Sequence, residues 1–392
     1  MKFAAYNPQT ILFNTVVSPI KKMSKNKEIA SLEKKLKADL DKFESAKIKC
    51  GIIGRSGVGK SSLINAIVGE HIAEVGEVET TMEVGKPIEH RGLSFYDLPG
   101  CSTINFPKEQ YLETFNISHF DCVILVTADR FYEDDLYLID ELLKIKMPVF
   151  AVRTKIDFSI DRALRRDISE EETYNTVFND LEQNLKGYRL NGIYLTSADY
   201  PQEYDLGQLL DDVYSSLGRI KQQRFVADIN ITSQKILSKK KELANKIVGM
   251  HAALSAVNGV NPIPGLDVGV DISLLTRMGV HVRDIYCLGD EQQHFIMDLL
   301  DKNNAKVLTA KAVQFSVKYL GKDAIMLLLK RAGATVAAKS ASKYFPFIGI
   351  AISSTVGFFL TSSIGKDMVK DAESIATENY NALKSLKIKR NF

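Results

Sequence analysis

Gly54-Arg-Ser-Gly-Val-Gly59-Lys60-Ser61 is the stretch on which the reading of this chain turns. It matches G-x-x-x-x-G-K-[ST]. The β-branched run KIKCGII precedes it, and SLINAIVG, with apolar residues at helical spacing, follows it. Strand, loop and helix in that order are what a phosphate cradle requires. Gly54, Gly57 and Gly59 let the backbone wrap, so that the N–H groups of Arg55, Ser56, Val58 and their neighbours face phosphate oxygens. The helix that follows adds the positive end of its dipole. Lys60 reaches the β and γ phosphates, and the Ser61 hydroxyl suits Mg²⁺.

Working outward, four more short apolar runs read as strands: LSFYDLPG, FDCVILVTA, PVFAVRTK and GIYLTSA. Longer segments of mixed polarity separate them. Continuous β-branched runs alternating with helical segments predict a mainly parallel sheet covered on both faces, an α/β class domain spanning 48–218. Upstream, residues 1–24 form a loose lead-in. Ile29, Leu32, Leu36, Leu40 and Phe43 then mark one apolar stripe of an amphipathic helix. From about Phe225 no strand pattern remains, and Leu, Ala, Lys and Ile dominate. The division is therefore 1–47 as an N-terminal helical segment, 48–218 as the phosphate-binding domain and 219–392 as a C-terminal helical domain. The N-terminal segment is expected to pack with the C-terminal helices as one all-α unit.

A phosphate loop alone does not choose a base. Asp97-Leu-Pro-Gly100 follows the strand LSFY; an acid there can hold Mg²⁺ through water, and the Gly100 N–H can meet a γ phosphate. Thr154-Lys155-Ile156-Asp157 closes the strand PVFAVR. The Asp157 carboxylate can accept from N1–H and the exocyclic amine of guanine, a donor pair adenine lacks. The Lys155 stem would lie over the base. Thr196-Ser197-Ala198 follows GIYL and supplies a loop over the base, with Ser197 in contact. Strung in this order, each at a strand end, the motifs are those of a domain for GTP, GDP and Mg²⁺. Thr154 stands where most such proteins carry Asn and makes fewer bonds.

Between Ser61 and Asp97 lies EVGEVETTMEVGKP. A Thr that closes over Mg²⁺ and the γ phosphate is expected here; Thr81 is the choice and Thr80 the near alternative. Many such domains orient the attacking water with a Gln directly after DxxG. Here Cys101 occupies that place and cannot do so well. Turnover should then be slow unless another group acts: Glu79, or a group from a second copy of the chain. The catalytic set is accordingly Lys60, Glu79 and Thr81, and the metal set Ser61, Thr81 and Asp97.

Composition narrows the classes further. Apolar residues make up 45% and charged residues 25%, ordinary globular values that exclude a fibrous or largely disordered chain. Lys and Arg number 51 against 48 Asp and Glu, a net charge of +3, so no nucleic-acid partner is expected. The four cysteines form no CxxC pair, and no secretory signal pattern opens the chain, which reads as cytoplasmic. Residues 344–365 carry no charge. Pro346 and the Ser and Thr content make this stretch a buried helical hairpin rather than a membrane span. Lysines at 235, 239, 240, 241, 384, 387 and 389, with Arg390, leave a peripheral lipid surface open as a partner.

The chain as a whole resembles the immunity-related GTPases, a dynamin-like family, over about residues 25–370. The resemblance is carried by GEVETTMEVGKP, DLPGCSTINFPKEQYL, DRFYEDD, VFAVRTKID, YLTSADYPQEYDLGQLL, NPIPGLDVGVDISLL and FPFIGIAISS. It implies GTP hydrolysis, homodimerisation through the nucleotide face with Glu79 acting within the dimer, oligomers on membranes, and a role in cell-autonomous defence. The G-Lys-Ser loop matches the family's effector type. The helical half also resembles the helical domain of bacterial Era-like GTPases. A bacterial relative, and a GTP-dependent binding switch with little turnover, are the alternatives.

Overall fold

The computed structural model describes residues 26–75, 86–101, 108–258, 272–340 and 349–386. The expected residues Glu79, Thr80 and Thr81, the NPIPGLD stretch, the first part of 344–365 and the tail residues Lys387, Lys389 and Arg390 lie outside them. The chain divides into two compact units. One comprises Ser45–Ile236, Asp290–Asn304 and Asn379–Phe392; the other comprises Met1–Glu44, Leu237–Gly289 and Ala305–Glu378.

The first unit is built on a six-stranded sheet: β1 (Ile48–Ile53), β2 (Ile88–His90), β3 (Leu93–Leu98), β4 (Cys122–Thr127), β5 (Val149–Arg153) and β6 (Gly192–Leu195). The spatial order is β2-β3-β1-β4-β5-β6, and only β2 runs antiparallel to its neighbour. Consecutive residues of a strand face opposite sides of a sheet, and both sides here are apolar. Ile48, Cys50 and Ile52 of β1, with Cys122, Ile124 and Val126 of β4, pack in one core with helices α2 (Lys60–Val68), α7 (Leu206–Ser216) and α8 (Arg219–Asp228). Ile53, Val123 and Leu125 face the opposite core, with α4 (Glu133–Lys144), α5 (Ile156–Leu164) and α6 (Glu170–Asn184). This two-sided burial explains why the strands read as continuous apolar runs. Cys50 and Cys122 are register partners with sulfurs 3.4 Å apart, both free and buried.

This sheet-bearing unit extends past residue 218. Helix α8 is held by Arg224 and Asp228, which pair at 2.5 Å, while Asp228 also accepts from the Gly92 N–H at 2.9 Å in the β2–β3 turn. Helix α11 (Asp290–Leu299) joins the same unit: the buried Gln292 donates to Glu70 directly after α2, and His71 packs its ring against Phe295.

The second unit is all helical among the described residues: α1 (Asn26–Ser45, through Glu44), α9 (Gln234–Asn258, from Leu237), α10 (Ile272–Ile285), α12 (Lys302–Leu320, from Ala305), α13 (Lys322–Ser340) and α14 (Gly349–Lys384, through Glu378). Glu44 ties α1 to α10 through Arg277 at 2.6 Å and His281 at 2.8 Å. From Val356 onward the charge-free part of α14 is mostly buried, with Phe359 left exposed. Its Gly365 lies so close to α9 that a Cβ there would come 2.4 Å from Val248. No helix among the described residues is long and apolar enough to cross a membrane. The lysines at 235–241 differ in surroundings. Lys235 pairs with Asp211 and Lys241 with Glu373, both at 2.9 Å, and the fully buried Lys240 donates to the Ile285 carbonyl.

Candidate functional site

Strand β1 has β3 on one side and β4 on the other. In a parallel sheet that reversal of order opens a crevice at the carboxyl ends of the strands. The phosphate loop, Asp97, Thr154–Asp157 and Thr196–Ser197 all lie at those ends, directly after β1, within β3, after β5 and after β6.

The loop has the backbone that its glycines were read to permit. Gly57 and Gly59 sit at φ of 77° and 91°, the left-handed region that costs a side chain energy. Gly54 is dictated by space instead, since a Cβ there would stand 2.3 Å from the Val126 carbonyl oxygen. Gly59 caps α2, so Lys60 and Ser61 open the helix and leave its first N–H groups facing the loop. Lys60 Nζ donates to the carbonyls of Gly54 at 2.9 Å and Arg55 at 3.1 Å, and lies 3.5 Å from the buried Asp97 carboxylate. Ser56 is exposed, Ser61 half-buried and Val58 buried. The exposed Arg55 lays its guanidinium 4.0 Å above the Tyr132 ring. The Tyr132 hydroxyl in turn donates to Asp129 at 2.9 Å. Burial pushes the Asp129 carboxyl up, yet the Arg130 N–H and the hydroxyls of Tyr132 and Thr127 outweigh it and hold its pKa below the ordinary value.

The base end is knitted to this loop. The Thr154 hydroxyl contacts the Val58 carbonyl and lies 3.2 Å from that of Thr127. Lys155, at φ 59°, donates to the Gly57 carbonyl at 2.8 Å, so its stem crosses from one loop to the other. Asp157 sits in the first turn of α5 and is 4% exposed. The Thr196 carbonyl accepts from the Ile156 N–H at 3.3 Å, bringing the β6 loop beside it. The Thr196 and Ser197 hydroxyls are buried without a hydrogen-bond partner. These two hydroxyls lie on the β6 loop beside Ile156, where the sequence reading places the base.

Cys101, read from the sequence as a poor substitute for a water-orienting Gln, is turned away from the crevice. Its thiol is buried and donates to the Asp134 carbonyl at 2.9 Å. Sequence reasoning missed Tyr111, whose hydroxyl donates to the Pro99 carbonyl inside Asp97–Gly100. The available signal was an aromatic–apolar pair, Tyr111-Leu112, among polar residues in KEQYLET, which is weak. Tyr132, under the Arg55 guanidinium, was also missed.

The interferon-inducible GTPase (IIGP) family model matches residues 13–346. The chain belongs to that family. Among relatives, this family member is 29% identical over 253 residues to Interferon-inducible GTPase 1 of Mus musculus, covering 60% of each chain. It is 24% identical to Interferon-gamma-inducible GTPase 10 of Mus musculus over 65% of this chain and 64% of that one. Immunity-related GTPase family M protein 2 of Mus musculus is 23% identical over 82% of this chain and 80% of that one. The first two alignments thus span less than two thirds of those relatives.

Proposed function

We propose that this interferon-inducible GTPase family member binds GTP and hydrolyses it to GDP and phosphate, and that it acts as a homodimer joined through its nucleotide face. The observation that carries the nucleotide reading is the convergence of four separate chain segments on one crevice: phosphate loop, Asp97–Gly100, Thr154–Asp157 and Thr196–Ser197; the homodimer is supported by family membership. Lys60 and the N–H groups that open α2 bind and orient the phosphates. Asp157 reads guanine, and the orphaned Thr196 and Ser197 hydroxyls meet the base. Ser61 and Asp97 would hold Mg²⁺, with Thr81, and the ion would neutralise charge on the phosphate oxygens. Water attacks the γ phosphorus as its bond to the bridging oxygen breaks. With the Cys101 thiol committed to Asp134, the group that orients the water comes from elsewhere, and Glu79 in the dimer is the candidate.

Oligomers on a membrane surface and a role in cell-autonomous defence extend the proposal. Their support is family membership and the exposed Val313 and Val317 on α12, with Lys306 and Lys322 exposed nearby in sequence. Hydrolysis measured against protein concentration tests the core claim. Specific activity should rise with concentration; a flat dependence removes dimer activation. ATP competing as well as GTP removes the guanine reading.

A further inference from the structure

We propose that Tyr111 is a positioning residue that aims the Gly100 N–H at the terminal phosphate of GTP, and so sets both the preference for triphosphate over diphosphate and the rate of hydrolysis. The inference rests on the reading of the crevice given above. Tyr111 begins the short helix α3 (Tyr111–Thr114), is fully buried at 0% exposure, and donates its hydroxyl to the Pro99 carbonyl. The Pro99 carbonyl and the Gly100 N–H belong to one peptide plane. In a trans peptide these two groups point in opposite directions. A carbonyl held on the core side therefore turns the Gly100 N–H away from the core. The phosphate loop is close at hand: a Cβ at Gly100 would stand 3.5 Å from Arg55 Cγ and 3.7 Å from its N.

The same segment is pinned on either side of that plane. Gly54 N donates to the Leu98 carbonyl at 3.4 Å, and the Cys101 thiol donates to Asp134 at 2.9 Å. The Tyr111 ring is itself fixed, packed 4.7 Å from Phe115. Burial, with the nearby Cys101, Asp97 and Asp135, pushes the phenol well above its ordinary pKa, so the donor keeps its proton at any working pH. A buried phenol hydroxyl needs an acceptor, and the acceptor here is the carbonyl of the very peptide that carries the Gly100 N–H, which fixes that peptide's orientation.

Tyr111→Phe keeps the ring and removes the donor. Affinity for a non-hydrolysable GTP analogue should fall about 3- to 10-fold, the span of one net hydrogen bond. GDP affinity should be unchanged, because GDP has no terminal phosphate to meet. The hydrolysis rate at saturating GTP should fall by at least the same factor. Cys101→Ser, which keeps a donor for Asp134, should behave as wild type. If Tyr111→Phe does not fold, Cys101→Ala removes the neighbouring pin and should show the same selective loss for the GTP analogue. An unaltered ratio of GTP-analogue to GDP affinity overturns the inference, as does an equal loss of both. A wild-type chain that binds no guanine nucleotide overturns the underlying reading as well, so the two failures are distinguishable.

Discussion

The two ends of the crevice are prepared in different ways. At the phosphate end the charged groups already hold one another: Lys60 is met by two carbonyls of its own loop and by Asp97. At the base end, the Thr196 and Ser197 hydroxyls are buried and left without a partner. The first arrangement keeps a cation in place in a cramped loop, and it must exchange partners when phosphate arrives. The second leaves two polar groups that, on the proposed reading, meet the base. Catalysis should therefore be lost by damage at the phosphate end, and selectivity by damage at the base end.

The hardest test of that division is Lys60→Ala. It should lower the hydrolysis rate by about 100- to 1,000-fold, the scale for loss of one donor to transition-state charge. Steady-state phosphate release measures it, and a variant that keeps wild-type turnover would break the division. Asp157→Asn should come next. GTP affinity should drop roughly 10- to 150-fold, since Asn keeps one acceptor and loses the other of two hydrogen bonds to a charged group, which contribute about 1.5–3 kcal/mol each. Xanthosine triphosphate, whose second carbonyl suits the new amide, should bind better to the variant than GTP does. Equal weakening of both nucleotides in a competition assay would show that Asp157 serves the fold and not the base.

Thr154→Val probes the join between the two ends and should cost less. It leaves the buried Val58 carbonyl without this donor, a loss of about 1–3 kcal/mol in stability. The readout is a lower Tm, with only a few-fold change in affinity.

The smallest effect belongs to the other unit and serves as a control. His251 is fully buried on α9, 3.2 Å from His281, and burial, then His281 and Arg277, lower its pKa from 6.5 to about 3. The unfolded chain takes up this proton more readily than the native one. Stability from this group is thus complete above about pH 6.5 and is lost progressively as pH falls toward 3. His251→Gln should flatten that slope in denaturant titrations between pH 6.5 and 4, with the order of nucleotide preferences intact.

How much of this could be read beforehand depended on sequence distance. Gly54–Ser61 and Thr154–Asp157 were legible because each is contiguous and its chemistry fixes the residue type at each place. The sheet was legible because both its faces are buried, which leaves unbroken apolar runs. Tyr111 was not, since its role arises from the orientation of a peptide 12 residues earlier in the chain. The allegiance of α8 to the sheet was hidden for a like reason. Its Asp228 finds the Gly92 N–H across 136 residues, and nothing local in RIKQQRFVAD announces that bond. Cys101 was read as a poor residue for orienting water; its inward turn depends on a backbone carbonyl, which carries no sequence signature.

Thr154 has one hydroxyl proton and faces two carbonyls, those of Val58 and Thr127. A hydroxyl donates once, so at any instant only one of the two receives it. That proton sits in a side chain that is 5% exposed, and its replacement by solvent deuterium must wait for the crevice to open. It should consequently survive long enough in ordinary water to give a proton resonance of its own. The resonance would move as the sharing between the phosphate loop and β4 changes, a native reporter of nucleotide arrival that needs no attached label.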